Sequence, residues 1–168
     1  GGTNKVLVFR GGERDVYFKE TLSVEVVAWK TLIDARCPHV VGVAALIDGS
    51  TNTALRPKIV SKLTPEQTAF IESAAANKGC CVVTLGPKRG WKRYTLWEFM
   101  KHGCDHVTQC EIIAKCFAAI SAVHLCGIQH NDLHANNIFV DCKDGKHRVR
   151  IFDFDRSTVV RQAGDKML

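Results

Sequence analysis

Two polar motifs near the C-terminal end decide the fold. Residues 130–140 read HNDLHANNIFV, and residues 151–155 read IFDFD. In the first motif Asn137 follows Asp132 by five positions, and in the second Asp153 follows an apolar run. One carboxylate can orient a hydroxyl group. An amide and a second carboxylate offer the hard oxygens that Mg²⁺ prefers, and this ion keeps phosphate oxygens as further ligands.

The sequence around these motifs predicts a helix followed by a hairpin. Apolar residues recur at helical spacing over 106–126, and Gly127 ends the helix directly before the first motif. The runs 138–140 and 147–152 predict two strands, joined by a turn at Asp144-Gly145. This hairpin is expected to bring Asp153 next to Asn137.

The motifs resemble those of the protein-kinase superfamily, whose catalytic loop reads H-R-D-L-x-x-x-N and whose metal-binding motif reads D-F-G. Asn131 and Asp155 depart from that pattern, in place of Arg and Gly. These variants are similar to those of kinase-like proteins encoded by large DNA viruses. The matching residues are His130, Asp132, Leu133, Asn137, Asp153 and Phe154.

The resemblance implies an α+β, two-lobed kinase-like fold. Residues 1–86 would form an antiparallel small lobe with an insertion over 50–79, and residues 87–168 a reduced, helical large lobe. About 13 residues follow Asp155, so this large lobe is expected to be truncated, without most of a protein-substrate groove.

The resemblance also implies ATP and Mg²⁺ as cofactors. The stretch V-Y-F-K at 16–19 looks like V-A-I-K of kinases, so Lys19 would hold the α- and β-phosphates. A surface lysine at a strand end is the ordinary alternative. Glu25 would pair with Lys19, although an acidic residue in a first helical turn is also favoured by the helix dipole, and Glu20 is a nearby competitor.

The remaining site assignments follow from the same resemblance. Val83 and Leu85 would contact the nucleotide, because 80–84 is the strand that leads into the linker between lobes. Asp132 is the catalytic residue for the acceptor hydroxyl, assisted by Lys19 and Asn137. Asn137 and Asp153 would bind Mg²⁺. His134 stands where many Ser/Thr kinases have a lysine that contacts the γ-phosphate. Gly1, Gly2 and Asn4 occupy the place of an incomplete glycine-rich loop.

Other segments are predicted from local signals. Ser23 is the expected N-cap of a helix over 21–36, and Pro38 ends it. Thr64-Pro65 opens a helix with a capping box. The basic and aromatic residues of 88–94 are interpreted as a solvated loop. Further strands are expected over 5–9, 16–19, 39–47 and 56–63, and a short helix over 95–100.

The helix at 106–126 is expected to leave an apolar surface uncovered by the reduced large lobe. A large uncovered apolar surface predicts a homo-oligomer or a protein partner. The predicted apolar face consists of Ile113, Cys116, Phe117, Ile120 and Val123.

Composition limits the function classes. The chain has 168 residues, a net charge of +6 and eight cysteines. None of these cysteines forms a C-x-x-C pair, which favours an intracellular protein with reduced thiols. The spacing of His102, Cys104, His106 and Cys110 fits no standard zinc knuckle. No apolar run reaches the ~20 residues that a membrane span needs, so no membrane association is expected.

The sequence favours a minimal Ser/Thr-type protein kinase that transfers phosphate from ATP to a protein or a small substrate. The alternative is a non-catalytic kinase mimic that binds a partner such as a host kinase. A nucleic-acid-binding module on the basic linker is the third hypothesis, and nucleic acid is not expected as a partner.

Overall fold

The structure, a computed structural model, describes residues 6–10, 14–48, 64–76 and 80–160. The strands are β1 (Val6–Phe9), β2 (Val16–Glu20), β3 (Val43–Ile47), β4 (Cys81–Leu85), β5 (Lys92–Thr95), β6 (Ile128–Gln129), β7 (Ile138–Lys143), β8 (Lys146–Ile151) and β9 (Thr158–Val159). The helices are α1 (Ser23–Asp34), α2 (Pro65–Ala76), α3 (Leu96–Lys101) and α4 (His106–Leu125), with a 3₁₀ turn at Ala135–Asn137.

The first sheet is antiparallel, with strand order β1-β2-β4-β3. Alternate residues of a strand point to opposite faces. Val16 and Phe18 of β2 therefore pack in one apolar cluster with Val83 and Leu85 of β4. Lys19 lies on the other face of β2, where α1 packs against the sheet.

The second sheet has strand order β5-β7-β8 and contains the predicted hairpin. Asp144 and Gly145 both have positive φ, of 48° and 71°, as the tight turn of a hairpin requires. The solvated loop predicted for 88–94 is wrong in part, because Lys92–Thr95 forms β5 and pairs with β7. The predicted short helix is α3, which Thr95 and Glu98 open with a capping box.

One apolar core joins the two sheets. Trp29 and Leu32 of α1 belong to the same buried cluster as Val140 and Val149 of the hairpin. Cys116 of α4 also packs in this cluster. The predicted mixed α/β architecture with antiparallel sheets is therefore what the structure has.

The predicted apolar face of α4 is exposed only in part. Ile112, Cys116, Ala119 and Val123 are the buried residues, a stripe that packs where α4 contacts β8. The prediction left the face uncovered, and its residues Ile113 and Phe117 are 46% and 67% exposed. Apolar residues occur all round this helix, so periodicity could not choose between its faces.

Two element boundaries differ from the prediction. The N-cap of α1 is Leu22, without a side-chain cap, rather than Ser23. The strand expected from residue 39 begins at Val43, and before it Val40 forms only a single bridge to Ile151. The predicted capping box of α2 is present, with a distance of 2.9 Å from the Thr64 backbone nitrogen to Gln67 Oε1.

Several predictions lie outside the described residues. These concern the incomplete glycine-rich loop at Gly1, Gly2 and Asn4, the strand over 56–63, the end of the inserted helix at 77–79 and residues 161–168. In the part of the chain that is described, none of the helices combines the length and apolar character that crossing a bilayer requires.

Candidate active site

Lys19 is at the centre of the candidate site. Its amine lies 2.9 Å from Glu25 Oε2 and also donates to Asp153 Oδ1. The three residues come from β2, from the first turn of α1 and from the loop after β8. The structure therefore brings together three residues that are up to 134 positions apart in the chain.

Glu25 is buried, with 1% of its surface exposed, and its carboxylate is surrounded by donors. Besides Lys19, it accepts hydrogen bonds from the Thr21 hydroxyl, from Trp29 Nε1 at 3.2 Å and from the Phe154 backbone N–H at 3.2 Å. A buried carboxylate is tolerated when its oxygens are paired in this way. Glu20, the competing candidate, is exposed at the end of β2.

The surroundings of Lys19 keep it charged. Burial works to lower its pKa, but the hydrogen bond to Asp153 and the charge of Glu25 outweigh burial, and the pKa of Lys19 is raised. A lysine with a raised pKa is a fixed positive charge at neutral pH, as phosphate binding requires.

The middle residue of the D-F-D motif, Phe154, is held by packing against neighbouring aromatic rings. Phe154 is completely buried, with ring centroids 4.8 Å from those of Trp29 and of His130. Asp153 adopts a positive φ of 65°, which turns its side chain toward Lys19. Through its contact with Trp29, Phe154 packs against α1, the helix that carries Glu25.

The His130 to Asn137 loop is held by hydrogen bonds to the backbone. His130 Nε2 lies 2.9 Å from the Phe152 carbonyl oxygen, so the histidine ties this loop to the D-F-D motif. Asn137 is buried, and its Nδ2 donates to the Asp132 carbonyl oxygen at 2.9 Å. The Asp132 side chain is 33% exposed, with Arg156 Nη1 3.9 Å away. The loop thus presents one carboxylate to solvent beside a rigid amide.

The two unusual loop residues have local roles. Asn131 has a φ of 60° and donates to the Arg156 carbonyl oxygen and to the Thr158 hydroxyl, at 3.1 and 2.8 Å. His134 caps the 3₁₀ turn, because its Nδ1 accepts from the Asn136 N–H at 3.2 Å. If the His134 ring contacted a γ-phosphate, as the lysine of many Ser/Thr kinases does, that contact would compete with this hydrogen bond to the Asn136 N–H.

Lys19 and Asp153 lie in the wall of a cleft of about 590 Å³. Phe139 of β7 and Phe152 form an aromatic part of this wall, with rings stacked 3.7 Å apart. Thr84 of β4 also lines the cleft. The cleft thus combines a charged region with a flat apolar surface, as a nucleotide site needs.

The structure does not place Val83 and Leu85 in the cleft. Strand alternation directs the Val83 side chain into the apolar cluster on the other face of the sheet, while Val82 and Thr84 line the cleft. The Leu85 carbonyl oxygen accepts from Arg93 Nη1 at 3.1 Å, and its N–H donates to the Gly42 carbonyl oxygen at 2.8 Å. Both Leu85 backbone groups are therefore occupied.

Arg93 is the site residue that the sequence analysis missed. Its guanidinium lies 4.8 Å from the Phe139 ring centroid and pairs with Asp141 at 2.6 and 2.9 Å. It was interpreted as part of a solvated loop. A period of two in the segment KRYT could have indicated that Arg93 and Thr95 share the inward face of a strand.

The residues of the cleft fit Mg²⁺ and a triphosphate. Asp155 Oδ1 is buried in the wall and has no hydrogen-bond partner in the structure, so it is an acceptor available to a cation. Among the described residues no group of three or more His, Cys, Asp or Glu side chains could hold a metal. Asp153 and Asp155 of the cleft wall would hold a cation together with phosphate oxygens. Asn137 and Asp132, the other two predicted site residues, are not among the residues that line the cleft.

Comparison with known proteins is informative for the C-terminal part. The sequence profile of the lipopolysaccharide kinase (Kdo/WaaP) family matches residues 95–167, less than half of the chain. This range contains Asp132, Asn137 and Asp153, but neither Lys19 nor Glu25. No curated protein matches the chain. Together with the mixed α/β fold, the match supports kinase-type phosphotransferase activity in general, and it implies ATP as the phosphate donor. Residues 95–167 are thus kinase-like, similar to the lipopolysaccharide kinase (Kdo/WaaP) family.

Proposed function

We propose that this chain transfers the γ-phosphate of ATP, with Mg²⁺, to a hydroxyl group of a sugar-containing acceptor. The single observation that carries the proposal is the network in which Lys19 bonds both Glu25 and Asp153 at the wall of one cleft. Phosphoryl transfer depends mainly on positioning and charge neutralisation. A paired lysine facing an acidic loop supplies both.

Each residue has a role in this proposal. Lys19 binds the α- and β-phosphates and leaves Asp153 when they arrive, while Glu25 keeps its amine in position. Asn137 and Asp153 hold Mg²⁺, which neutralises the phosphate charge when bound. Asp132 aligns the acceptor hydroxyl and accepts its proton.

The acceptor class rests on two observations. The name of the matching family refers to lipopolysaccharide and to its sugar Kdo. His134 caps a backbone turn where many Ser/Thr kinases have a free lysine. Both favour a sugar hydroxyl over the Ser/Thr side chain that the sequence analysis favoured. The two-lobed division at 86/87, the truncated large lobe and the viral affinity remain predictions.

The test is a γ-phosphate transfer assay with ATP and Mg²⁺, offering a Kdo-containing glycolipid and a generic Ser/Thr protein substrate in parallel. We expect transfer to the glycolipid, and a loss of about 10³-fold in rate in Asp132→Asn. Asp144→Asn, in the hairpin turn, is the matched control with full activity. Transfer to the protein alone would show that the acceptor is a Ser/Thr hydroxyl. Equal rates in Asp132→Asn and Asp144→Asn would show that Asp132 is not the catalytic residue.

A non-catalytic kinase mimic is the second candidate. It is favoured by the occupied linker: the Leu85 carbonyl accepts from Arg93, and the Gly86 N–H donates to the Asp15 carbonyl oxygen at 2.8 Å. Kinases use backbone groups of this linker to bind the adenine edge. Titration of ATP with and without Mg²⁺ first measures nucleotide binding. The γ-phosphate transfer assay at saturating ATP then separates the two candidates, because a mimic binds the nucleotide without turnover.

A further inference from the structure

A second cavity lies on the side of the linker away from Lys19. Its walls are the end of α1, the start of β3, the linker after β4 and strand β8, and its volume is about 360 Å³. We call it the rear cavity. It contains none of Lys19, Asp132 and Asp153, and shares only Val41 and Arg93 with the cleft.

Most of the cations that line the rear cavity have no acidic partner among the described residues. Its acidic wall residue is Asp141, which already pairs with Arg93 through both carboxylate oxygens. Across the described ranges, no acidic side chain lies within 4 Å of the charged groups of the other basic wall residues. These are Arg14, Arg36, Lys88, Arg148 and Arg150.

Two of these cations, Arg148 and Arg150, are held in position by contacts with the protein. Arg150 Nη1 donates to the carbonyl oxygens of Pro38 and Val40, at 2.6 and 3.1 Å. Burial lowers the pKa of Arg150, and the positive charges of Arg93, Arg148 and Arg14 lower it further, against the opposing charge of Asp141. The Arg148 guanidinium lies 4.2 Å from the Trp91 ring centroid. Several positive charges are therefore held together with too little negative charge to balance them.

We infer that the rear cavity binds a small, multivalent phosphate ligand. Arginine forks recognise phosphate oxygens with two parallel hydrogen bonds, and a concave wall of one sign concentrates the opposite charge. A cavity of about 360 Å³ lies at the small end of the range for ligand pockets, which suits a small ligand. A nucleic-acid backbone would need an extended groove instead.

The inference does not rest on the proposed catalytic function. Inorganic pyrophosphate is the probe, titrated without Mg²⁺ into the full chain by isothermal titration calorimetry. Arg36→Gln and Arg148→Gln each remove one wall cation with an exposed side chain. We expect each to weaken binding about tenfold or more, the effect of losing one charge-assisted hydrogen bond.

Two control variants locate the site. Lys146→Gln removes the same charge from the same strand, at the hairpin turn outside the cavity, and is expected to bind pyrophosphate as the wild type does. Lys19→Met removes the phosphate-binding lysine of the cleft, so the pyrophosphate binding that remains in this variant is expected to be the rear-cavity event that Arg36→Gln and Arg148→Gln weaken. Binding lost in Lys19→Met but kept in the two arginine variants would overturn the inference. Equal weakening in Lys146→Gln, or tighter binding of RNA than of pyrophosphate, would overturn it too.

Discussion

The cleft and the rear cavity lie on opposite sides of the same linker and differ in charge: the cleft wall has more acidic than basic side chains, whereas the rear cavity wall is mostly basic. In the cleft, Lys19 bonds both Glu25 and Asp153. In the rear cavity, Arg36 and Arg148 have no acidic partner within the described residues. Arg93 contributes to both walls. The comparison shows that a ligand of the cleft must displace Asp153 from Lys19, whereas a ligand of the rear cavity displaces no acidic partner of Arg36 or Arg148 within the described residues.

The largest expected effect is at Glu25, on the paired side. Glu25→Gln removes the charge that satisfies Lys19 and weakens the hydrogen bonds to Trp29 and Phe154. Breaking a buried charge network costs about 3–5 kcal/mol, so we expect a loss near 4 kcal/mol in the free energy of unfolding, measured with urea. Glu20→Gln, at the exposed end of β2, is the control. A Glu25→Gln protein as stable as this control would contradict the role of pairing.

Arg93 tests the wall that the two cavities share. Arg93→Gln leaves the Asp141 carboxylate buried without its main partner, and Asp141 is 5% exposed. We expect a loss of about 3 kcal/mol, somewhat below that at Glu25 because Asp141 is slightly more exposed than Glu25 and accepts fewer hydrogen bonds. Lys92→Gln, on the exposed face of β5, should change stability little. Chemical denaturation of both variants decides, and equal losses would show that charge rather than pairing matters.

The pH dependence of Lys19 gives a smaller effect. Its pKa in the folded state is raised above the ordinary value of 10.5. The folded protein therefore binds the proton more tightly, so the stabilisation is complete below pH 10.5 and is lost as pH rises through the folded pKa. The difference in unfolding free energy between wild type and Lys19→Met should be constant from neutral pH to about pH 9 and shrink above pH 10.5. A difference that grows with alkalinity would have the wrong sign.

The smallest effect is expected in the rear cavity. Arg148→Gln removes a charge that repels Arg150 but also loses the contact with Trp91. These terms oppose each other, so the free energy of unfolding should change by no more than about 0.5 kcal/mol. Thermal denaturation beside Lys146→Gln measures this. A loss comparable to that of Arg93→Gln would mean that Arg148 serves the fold rather than a ligand.

Much of the candidate site could be predicted because its residues sit in local motifs. His130, Asp132 and Asn137 belong to one loop, and Asp153 is one hairpin away. The hairpin itself follows from Asp144-Gly145, which suits the positive φ of a tight turn. Lys19 and Glu25 could be predicted only from the order of the motifs along the chain, because lysines at strand ends and glutamates in first helical turns are common in proteins without any function.

Arg93 and Val83 show where prediction was incomplete. A single arginine in a basic segment looks the same whether it is solvated or paired with Asp141, which lies 48 positions later. For that reason a strand was interpreted as a loop over Lys92–Thr95. In β4, where Thr84 is the one hydroxyl residue among apolar ones, the sequence pattern alone did not show that Val82 and Thr84 rather than Val83 and Leu85 face the cleft.

By itself the sequence determined most of the helices and strands, the hairpin and the polar loop residues, because turn chemistry, capping and periodicity act over a few neighbouring residues. Only the tertiary structure decided that Lys92–Thr95 pairs as a strand, which face of α4 is buried, and that Glu25 rather than Glu20 meets Lys19. It also decided that the arginines of the rear cavity other than Arg93 have no acidic partner within the described part of the chain. Those outcomes depend on contacts between segments far apart in the chain, where burial and charge pairing select one arrangement among several that are locally equivalent.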